Sequence, residues 1–340
     1  MRLYNLLSKE ELAIRLAQET DPRITVSFYS YHAIENPQTF RDEMYEAFNE
    51  LHVLGRIFVA SEGINAQCSV PEPNFEKLRA YLYQFEPMNG LRLNTAADNS
   101  GTSFLKLKIK VRNKIVADGI DDPNFDVHNN GKYLKAEEFN ELSENPETVI
   151  IDMRNHYEYE VGHFKNAIEI PSDTFREQLP MALDMLKGKE DKPVIMYCTG
   201  GIRCEKASAY FRYKGFKEVY HVEGGIIHYV NNVRQKGLEN KFIGKNFVFD
   251  DRLGERISED VIANCHQCGN PCDTHTNCKN DGCHLLFIQC EACAEKYKGC
   301  CSEECLNVFE LPLEIQKELR KGIDKGQMVH GKSLKRKLVN

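Results

Sequence analysis

The stretch VIMYCTGGIRCEK, residues 194–206, joins a short apolar run to a cysteine, a glycine pair and an arginine. Val194 to Tyr197 reads as a buried strand, Thr199 to Arg203 as a turn, and Glu205 to Phe211 as the body of a helix. Cys198 therefore stands where a strand ends and a loop opens a helix. Gly200 and Gly201 let that loop curl so that its N–H groups converge into an anion nest. The N-terminus of the following helix adds partial positive charge, and Arg203 and Lys206 add full charges. All of these favour thiolate over thiol, and the thiolate is the nucleophile. An inert buried cysteine is the plainer alternative, but it has no need of Gly-Gly and Arg beside it.

Working outward, residues 130–238 read as an α/β unit. Val149 to Asp152 is a second short buried strand, with Asp152 and Arg154 at its C-terminal end, where α/β folds place function. Thr174 to Leu186 has helical spacing, and Val219 to Val222 is a further strand closed by Glu223, Gly224 and Gly225. Arg154 is expected to pair with Glu158 and brace the loop, or else to touch substrate. Cys204 could resolve an oxidised Cys198 as a disulfide, or simply pack in its helix. His163 reads as a structural histidine in its turn, and His221 and His228 are treated likewise.

Residues 1–120 read differently. Ile24, Val26 and Phe28 alternate as in a half-buried strand, and Phe40, Met44, Phe48 and Leu51 recur at helical spacing. Two strands over 53–70, a helix with Phe75, Leu78, Leu82 and Phe85, and a last strand over 104–114 complete a β-α-β-β-α-β order. That order is the split βαβ, or ferredoxin-like, arrangement. In the last strand Leu105, Leu107, Ile109 and Val111 share one face, and Lys106, Lys108, Lys110, Arg112 and Lys114 the other. Tyr29, Tyr31, Arg56 and Phe58 could join that basic face, which suits a phosphate backbone and stacked bases. A solvated lysine face guarding an edge strand is the competing reading. Residues 118–130 are polar and turn-rich, and read as a linker.

The chain has 340 residues, enough for two or three domains, and a formal charge of −7, so any attraction for nucleic acid must be a local patch. Its first residues carry charges too early for a signal peptide, and no apolar run approaches a membrane span, so a soluble, cytoplasmic protein is expected. Ten of its thirteen cysteines lie between Cys265 and Cys305, which in a reducing compartment points to metal rather than disulfides. Cys265/Cys268 and Cys290/Cys293 form two C-x-x-C knuckles, a strong zinc signal. The favoured sites are Cys265, Cys268, Cys290 and Cys293, and Cys278, Cys283, Cys301 and Cys305. Crossed pairings, or His266, His275 or His284 in place of a thiolate, are equally allowed. Structural zinc would fold residues 239–310, a segment with little core of its own; an iron–sulfur cluster, disulfides or a metal-free segment are the alternatives. Residues 311–340 form a basic tail, with Lys335, Arg336 and Lys337 together, that touches RNA phosphates or is merely solvated.

The motifs around Asp152 and Arg154, Gly162-His163-Phe164, Ile170-Pro171, Cys198 to Arg203 and Glu223 to Gly225 occur in an order that resembles a rhodanese domain. The cysteine-to-arginine loop is one residue shorter than in dual-specificity phosphatases, which argues against phosphate monoesters. With the ferredoxin-like start, the segment Phe242 to Asp250 and the cysteine-rich end, nearly the whole chain resembles the oxygen-dependent tRNA uridine(34) hydroxylases. The resemblance implies an α/β and α+β multidomain fold: an RNA-facing ferredoxin-like domain, a doubly wound parallel rhodanese sheet and a zinc-stapled C-terminal segment. It also implies 5-hydroxylation of the wobble uridine in the tRNA anticodon stem-loop, with molecular oxygen and a reductant consumed and the loop cysteine required.

On that reading the Cys198 thiolate adds to C6 of the uracil, and the loop amides and Arg203 hold the charge that develops. Alternatively Cys198 carries a persulfide that reacts first. Two other functions compete: a sulfurtransferase drawing on thiosulfate or a persulfide donor, and a zinc-dependent RNA-binding scaffold with an inactive rhodanese domain. No stable protein partner and no membrane are expected.

Overall fold

The computed structural model describes residues 3–98, 101–172 and 174–321. The Lys335 to Lys337 cluster lies outside the described residues. Helix α1 (Lys9–Ala17) opens the chain. Its start is fixed by a reciprocal cap: the Ser8 hydroxyl accepts from the Glu11 amide, and the Glu11 carboxylate accepts from the Ser8 amide.

The first sheet is built from β1 (Arg23–Tyr31), β2 (Leu54–Ala60), β3 (Gly63–Pro71), β4 (Asn94–Thr95) and β5 (Leu107–Val111). Two helices cover its apolar face, α2 (Pro37–Glu50), capped by Asn36 with Pro37 in its first turn, and α3 (Phe75–Tyr83). Val26, Phe28, Ile57, Val59, Ile64 and Ala66 pack there against Met44, Phe48, Leu78 and Leu82. The strand order is β4-β1-β3-β2-β5.

This corrects one expectation. The strand expected to close the split βαβ is β5, but β5 runs parallel to β2 at the far edge. The position beside β1 belongs to β4, a two-residue antiparallel strand. Two residues carry no periodicity, so β4 left no trace in the sequence pattern, whereas the alternation of β5 was plain.

The second sheet is parallel throughout, in the order β6-β11-β10-β7-β9. In chain order its region holds β6 (Lys132–Leu134), α4 (Ala136–Leu142), β7 (Val149–Asp152), α5 (His156–Tyr159), β8 (Gly162–Phe164), β9 (Ile168–Glu169), α6 (Phe175–Met185), β10 (Val194–Tyr197), α7 (Ile202–Tyr213), β11 (Val219–Val222) and α8 (Gly225–Lys236). Leu179 and Phe211, from α6 and α7, fill one face; Phe139, Ile226 and Tyr229, from α4 and α8, fill the other. All four residues of β10 are buried, as a strand covered on both faces requires. The doubly wound architecture puts Cys198 at the centre of the sheet's C-terminal edge.

The remaining chain is stitched to this unit. β12 (Phe242–Asn246) pairs antiparallel with β8 and with β13 (Glu255–Arg256). The hairpin of β14 (His275–Asn277) and β15 (Leu286–Ile288) is followed by α9 (Glu291–Lys296), α10 (Glu303–Phe309) and α11 (Leu313–Arg320). Tyr157 and Val161 share a small core with Phe247, Leu286 and Ile288. No helix among the described residues is long and apolar enough to cross a membrane.

Residues 118–130 are not a loose linker. Asp118 is buried and accepts from Lys114 (2.8 Å) and from Lys206, which also reaches Glu62 (2.7 Å). Three segments distant in sequence thus meet on one ammonium group. Lys206 therefore does not lend its charge to Cys198, as its place in the sequence suggests; its amine points at Glu62 and Asp118.

Candidate active site

Cys198 is fully buried. The Gly201 N–H donates to its sulfur at 3.2 Å. Gly201 has φ +100°, a conformation that turns the loop inward and that other residues rarely adopt. The loop carbonyls are held from behind: the Ile226 N–H donates to Cys198 O (3.0 Å) and the Ile227 N–H to Thr199 O (3.2 Å). That contact needs Gly225, where a Cβ would lie 2.5 Å from Cys198 O at φ +67°.

Burial pushes the Cys198 thiol up. The Cys204 thiol, the Arg203 guanidinium and the amides of Cys204 and Arg203 more than reverse this, and bring it down to about 6. Cys204, also fully buried, goes the other way: burial and the neighbouring Cys198 charge hold its thiol well above the ordinary range.

Arg203 donates to both oxygens of Glu158, at 2.7 and 2.8 Å, and its guanidinium lies over the Phe249 ring at 5.7 Å. Burial pushes the Glu158 carboxyl up, but Arg203, Arg154 and the Asn155 amide together keep it below its usual range. The Thr199 hydroxyl also donates to Glu158, at 3.2 Å. Arg203 is thus clamped beside the thiolate rather than free to hold a substrate oxygen.

Asp152 and Arg154 form a second pair, this one fully buried, with contacts of 2.6 to 3.1 Å. Arg154 also reaches Gly162 O (2.6 Å), and the Gln178 amide donates to Arg154 O (2.7 Å). The expected Arg154–Glu158 brace is replaced by two pairs, Asp152–Arg154 and Glu158–Arg203. Arg154 lies over the ring of Tyr197, the residue before Cys198, at 5.5 Å. His163 stacks on Tyr159 at 3.9 Å, and His221 is buried, its basicity lowered by desolvation to about 4.

The polar face of the first sheet lies directly over the loop. The Tyr29 hydroxyl donates to Glu205 (2.9 Å) and would meet a side chain at Gly201; Ser27 Oγ stands beside Gly200. The Tyr31 hydroxyl donates to Ile202 O (3.2 Å), and the Asn94 amide to Gly224 O (3.3 Å). Ser27 Oγ and Asn94 Oδ1 are buried polar atoms with no hydrogen-bond partner among the described residues. Sequence reasoning missed Ser27, Asn94 and Glu205, because nothing local marks residues that act across an interdomain seam.

Pairing register extends this face outward. Ser27, Gln67, Arg56 and Lys108 stand in one row across the strands, and Tyr29, Asn65, Phe58 and Lys110 in the next. Lys106 and Arg112 flank β5, and Arg112 lies over the Phe58 ring at 5.7 Å. Among the described residues none of Arg56, Lys106, Lys108, Lys110 and Arg112 has an acidic partner within salt-bridge distance. Burial and then its cationic neighbours push the Lys108 amine down, the mark of unneutralised charge. Tyr29 sits in the seam rather than on the open part of the face.

The cysteines gather into two groups, Cys265, Cys268, Cys290 and Cys293, and Cys278, Cys283, Cys301 and Cys305, with all sulfurs of a group within 4.8 Å of one another. Sulfur separations of 3.6 Å (Cys268–Cys290 and Cys301–Cys305) and 3.7 Å (Cys283–Cys301) are far longer than a disulfide. They approach the edge of about 3.8 Å expected of a tetrahedron with metal–sulfur arms of about 2.3 Å. These groups can hold a metal ion each. Cys272 and Cys300 stand outside both.

Residues 23–115 match the family described as UPF0176 acylphosphatase like domain, residues 135–232 the Rhodanese-like domain, and residues 243–306 Rhodanase C-terminal. A tRNA uridine(34) hydroxylase of Cronobacter sakazakii is 60% identical over 332 residues, spanning 97% of this chain and 95% of that one. One of Yersinia pestis is 59% identical, over 97% and 94%. The chain belongs to the tRNA uridine(34) hydroxylase family. The similarity covers 97% of this chain and so runs through all three regions. Among solved structures, a rhodanese-like domain from Anabaena is 20% identical and covers 33% of this chain and 78% of that one, with a TM-score of 0.27.

Proposed function

We propose that the chain hydroxylates C5 of uridine 34 in tRNA, using molecular oxygen and a reductant, with the Cys198 thiolate as nucleophile. The observation that carries this reading is Cys198 itself. It is a buried cysteine held near pKa 6 beside a clamped arginine, in a loop whose amides face it.

Addition of the thiolate to C6 makes C5 enolate-like and reactive toward oxygen. The loop amides are placed to receive the developing negative charge, while Arg203, fixed by Glu158, keeps the sulfur ionised. Ser27 Oγ and Asn94 Oδ1, unpartnered above the loop, are available to hydrogen-bond the edge of the base. An anticodon base already lies in a loop, so exposing it costs little. Because Cys198 is fully buried, base entry requires the sheet face to part from the loop.

The rows leading from Ser27 and Tyr29 to Lys108 and Lys110 span three strand spacings, roughly 14 Å. Anticodon phosphates beside the target base would fall on Arg56, Lys106, Lys108, Lys110 and Arg112, with Phe58 offering a stacking surface. A bare sulfurtransferase has no use for unpaired cations joined to its loop. The two cysteine groups suit zinc, which would tie the C-terminal segment together and take no part in the oxygen chemistry. A tRNA substrate supports a cytoplasmic location.

The test is full-length protein incubated in air with tRNA lacking the modification and a thiol reductant, followed by nucleoside mass spectrometry. Wild type is expected to yield 5-hydroxyuridine and Cys198→Ser none. Product at wild-type level from Cys198→Ser, or thiolated uridine instead, would overturn the proposal.

A further inference from the structure

Replacing C5–H of uracil by C5–OH uses one atom of molecular oxygen. The second atom must leave as water, which takes two electrons and two protons. Among the described residues the cysteine-rich segment holds eight of its ten thiols in two metal-type groups, and Cys272 and Cys300 pack in its small cores. Cys68 is buried in the core of the first sheet, on the face away from the loop. Cys204 is different. It lies in the first turn of α7, fully buried, and its thiol is the foremost of the groups that hold the Cys198 thiol down. It shares the core beside the loop with Cys198.

We propose that Cys204 and Cys198 together supply the two electrons, passing from dithiol to disulfide in each turnover. The inference rests on the hydroxylase reading above. The Cys198 sulfur bonds to C6, and the electron pair displaced from the C5=C6 bond combines with oxygen to give a C5 peroxide, which takes the Cys204 proton. The Cys204 sulfur then attacks the distal peroxide oxygen. The O–O bond breaks, leaving a C5 hydroxyl once protonated and a sulfenic acid on Cys204. Loss of the C5 proton expels Cys198 from C6 and restores the double bond. The freed Cys198 thiolate attacks the Cys204 sulfenic sulfur, forming the disulfide and releasing the second oxygen atom as water. In sum, uracil, oxygen and a dithiol give 5-hydroxyuracil, water and a disulfide. A small external thiol reduces the disulfide afterwards.

The contrast between the two thiols fits these roles. The one that attacks first is held ionised; the one that must first give a proton is held protonated by burial and by the charge beside it. Cys204 packs in the same core as the sulfur that carries C6, one turn of chain beyond the loop.

The experiment is a single turnover. Reduced full-length protein is freed of small thiols under nitrogen, then mixed with unmodified anticodon stem-loop RNA in air-saturated buffer with no reductant. The expected result is a burst of one 5-hydroxyuridine per active chain. An equal amount of disulfide-linked Cys198–Cys204 peptide should appear by mass spectrometry, and dithiothreitol should restore multiple turnovers. Cys204→Ser should lose the burst while keeping its metal content and its thermal unfolding midpoint. A burst without the disulfide, or a Cys204→Ser protein that turns over like wild type with dithiothreitol, would overturn the inference and leave the hydroxylase reading standing. No product with or without dithiothreitol would overturn both.

Discussion

Replacing Arg203 by Met separates two things that the guanidinium does at once. With the Cys204 thiol it ionises Cys198, and it neutralises Glu158, whose carboxylate is fully buried. With nitrogen–oxygen contacts of 2.7 and 2.8 Å the charge centres lie about 4 Å apart, and at an effective dielectric of about 20 their attraction is about 4 kcal/mol. Removing one partner of such a pair costs about 3–5 kcal/mol, because the other is left charged and unpaired. Arg203→Met alone should therefore lose about that much stability in urea unfolding. Adding Glu158→Gln removes the orphaned charge and should recover at least half of the loss.

Cysteine ionisation behaves otherwise. In wild type, alkylation of Cys198 by iodoacetamide should be slow below pH 6, rise through an inflection at about 6 and then level off, since only the thiolate reacts. Loss of the nearby cation should move the inflection up by about 1–3 units in both the single and the double variant. Stability recovers in the double variant, but reactivity does not. The reasoning is refuted if Arg203→Met is as stable as wild type, or if the inflection stays near 6 in either variant.

Three further outcomes are expected. Lys108→Glu with Lys110→Glu should weaken binding of anticodon stem-loop RNA and flatten its salt dependence by about 0.7 in the log–log slope for each phosphate no longer neutralised. Alkylation of Cys198 should be unchanged, and unchanged RNA affinity would place the interface elsewhere. Lys206→Met should cost about 2–3 kcal/mol, less than a fully orphaned charge because Lys114 still holds Asp118. Hydrogen exchange should rise over residues 118–131, and a neutral result would show that this knot does not hold the regions together. Metal analysis should find about two zinc ions per chain, with Cys265→Ser and Cys278→Ser each losing one; equal loss from neither would refute the two thiolate sites.

The sequence was legible where a property repeats or where a residue type has few uses. The alternation in Leu107 to Val111 revealed a strand and its cationic face, and the apolar run before Cys198 located the reactive loop. The clustered cysteines pointed to metal because thiolates have few other reasons to gather, but crossed pairings stayed open until the fold brought the sulfurs together. What stayed hidden was the choice of partner over long distances. Arg154 could face Asp152 or Glu158, and only the fold decided for Asp152 and left Glu158 to Arg203. The same holds for Lys206, whose position near the loop in sequence suggested a role that its burial against Asp118 and Glu62 excludes. Nothing in the pattern around Tyr29 or Asn94 indicated that one sheet would close over the other's reactive edge, since periodicity identifies a face and not what covers it.

The most direct measurement is mass spectrometry of wobble nucleosides after incubation of wild-type protein, tRNA and a thiol reductant under isotopically heavy oxygen gas. The account predicts one heavy oxygen atom on the base at position 34, absent under nitrogen and absent with Cys198→Ser. Oxygen drawn from water, or sulfur on the base in its place, would contradict it.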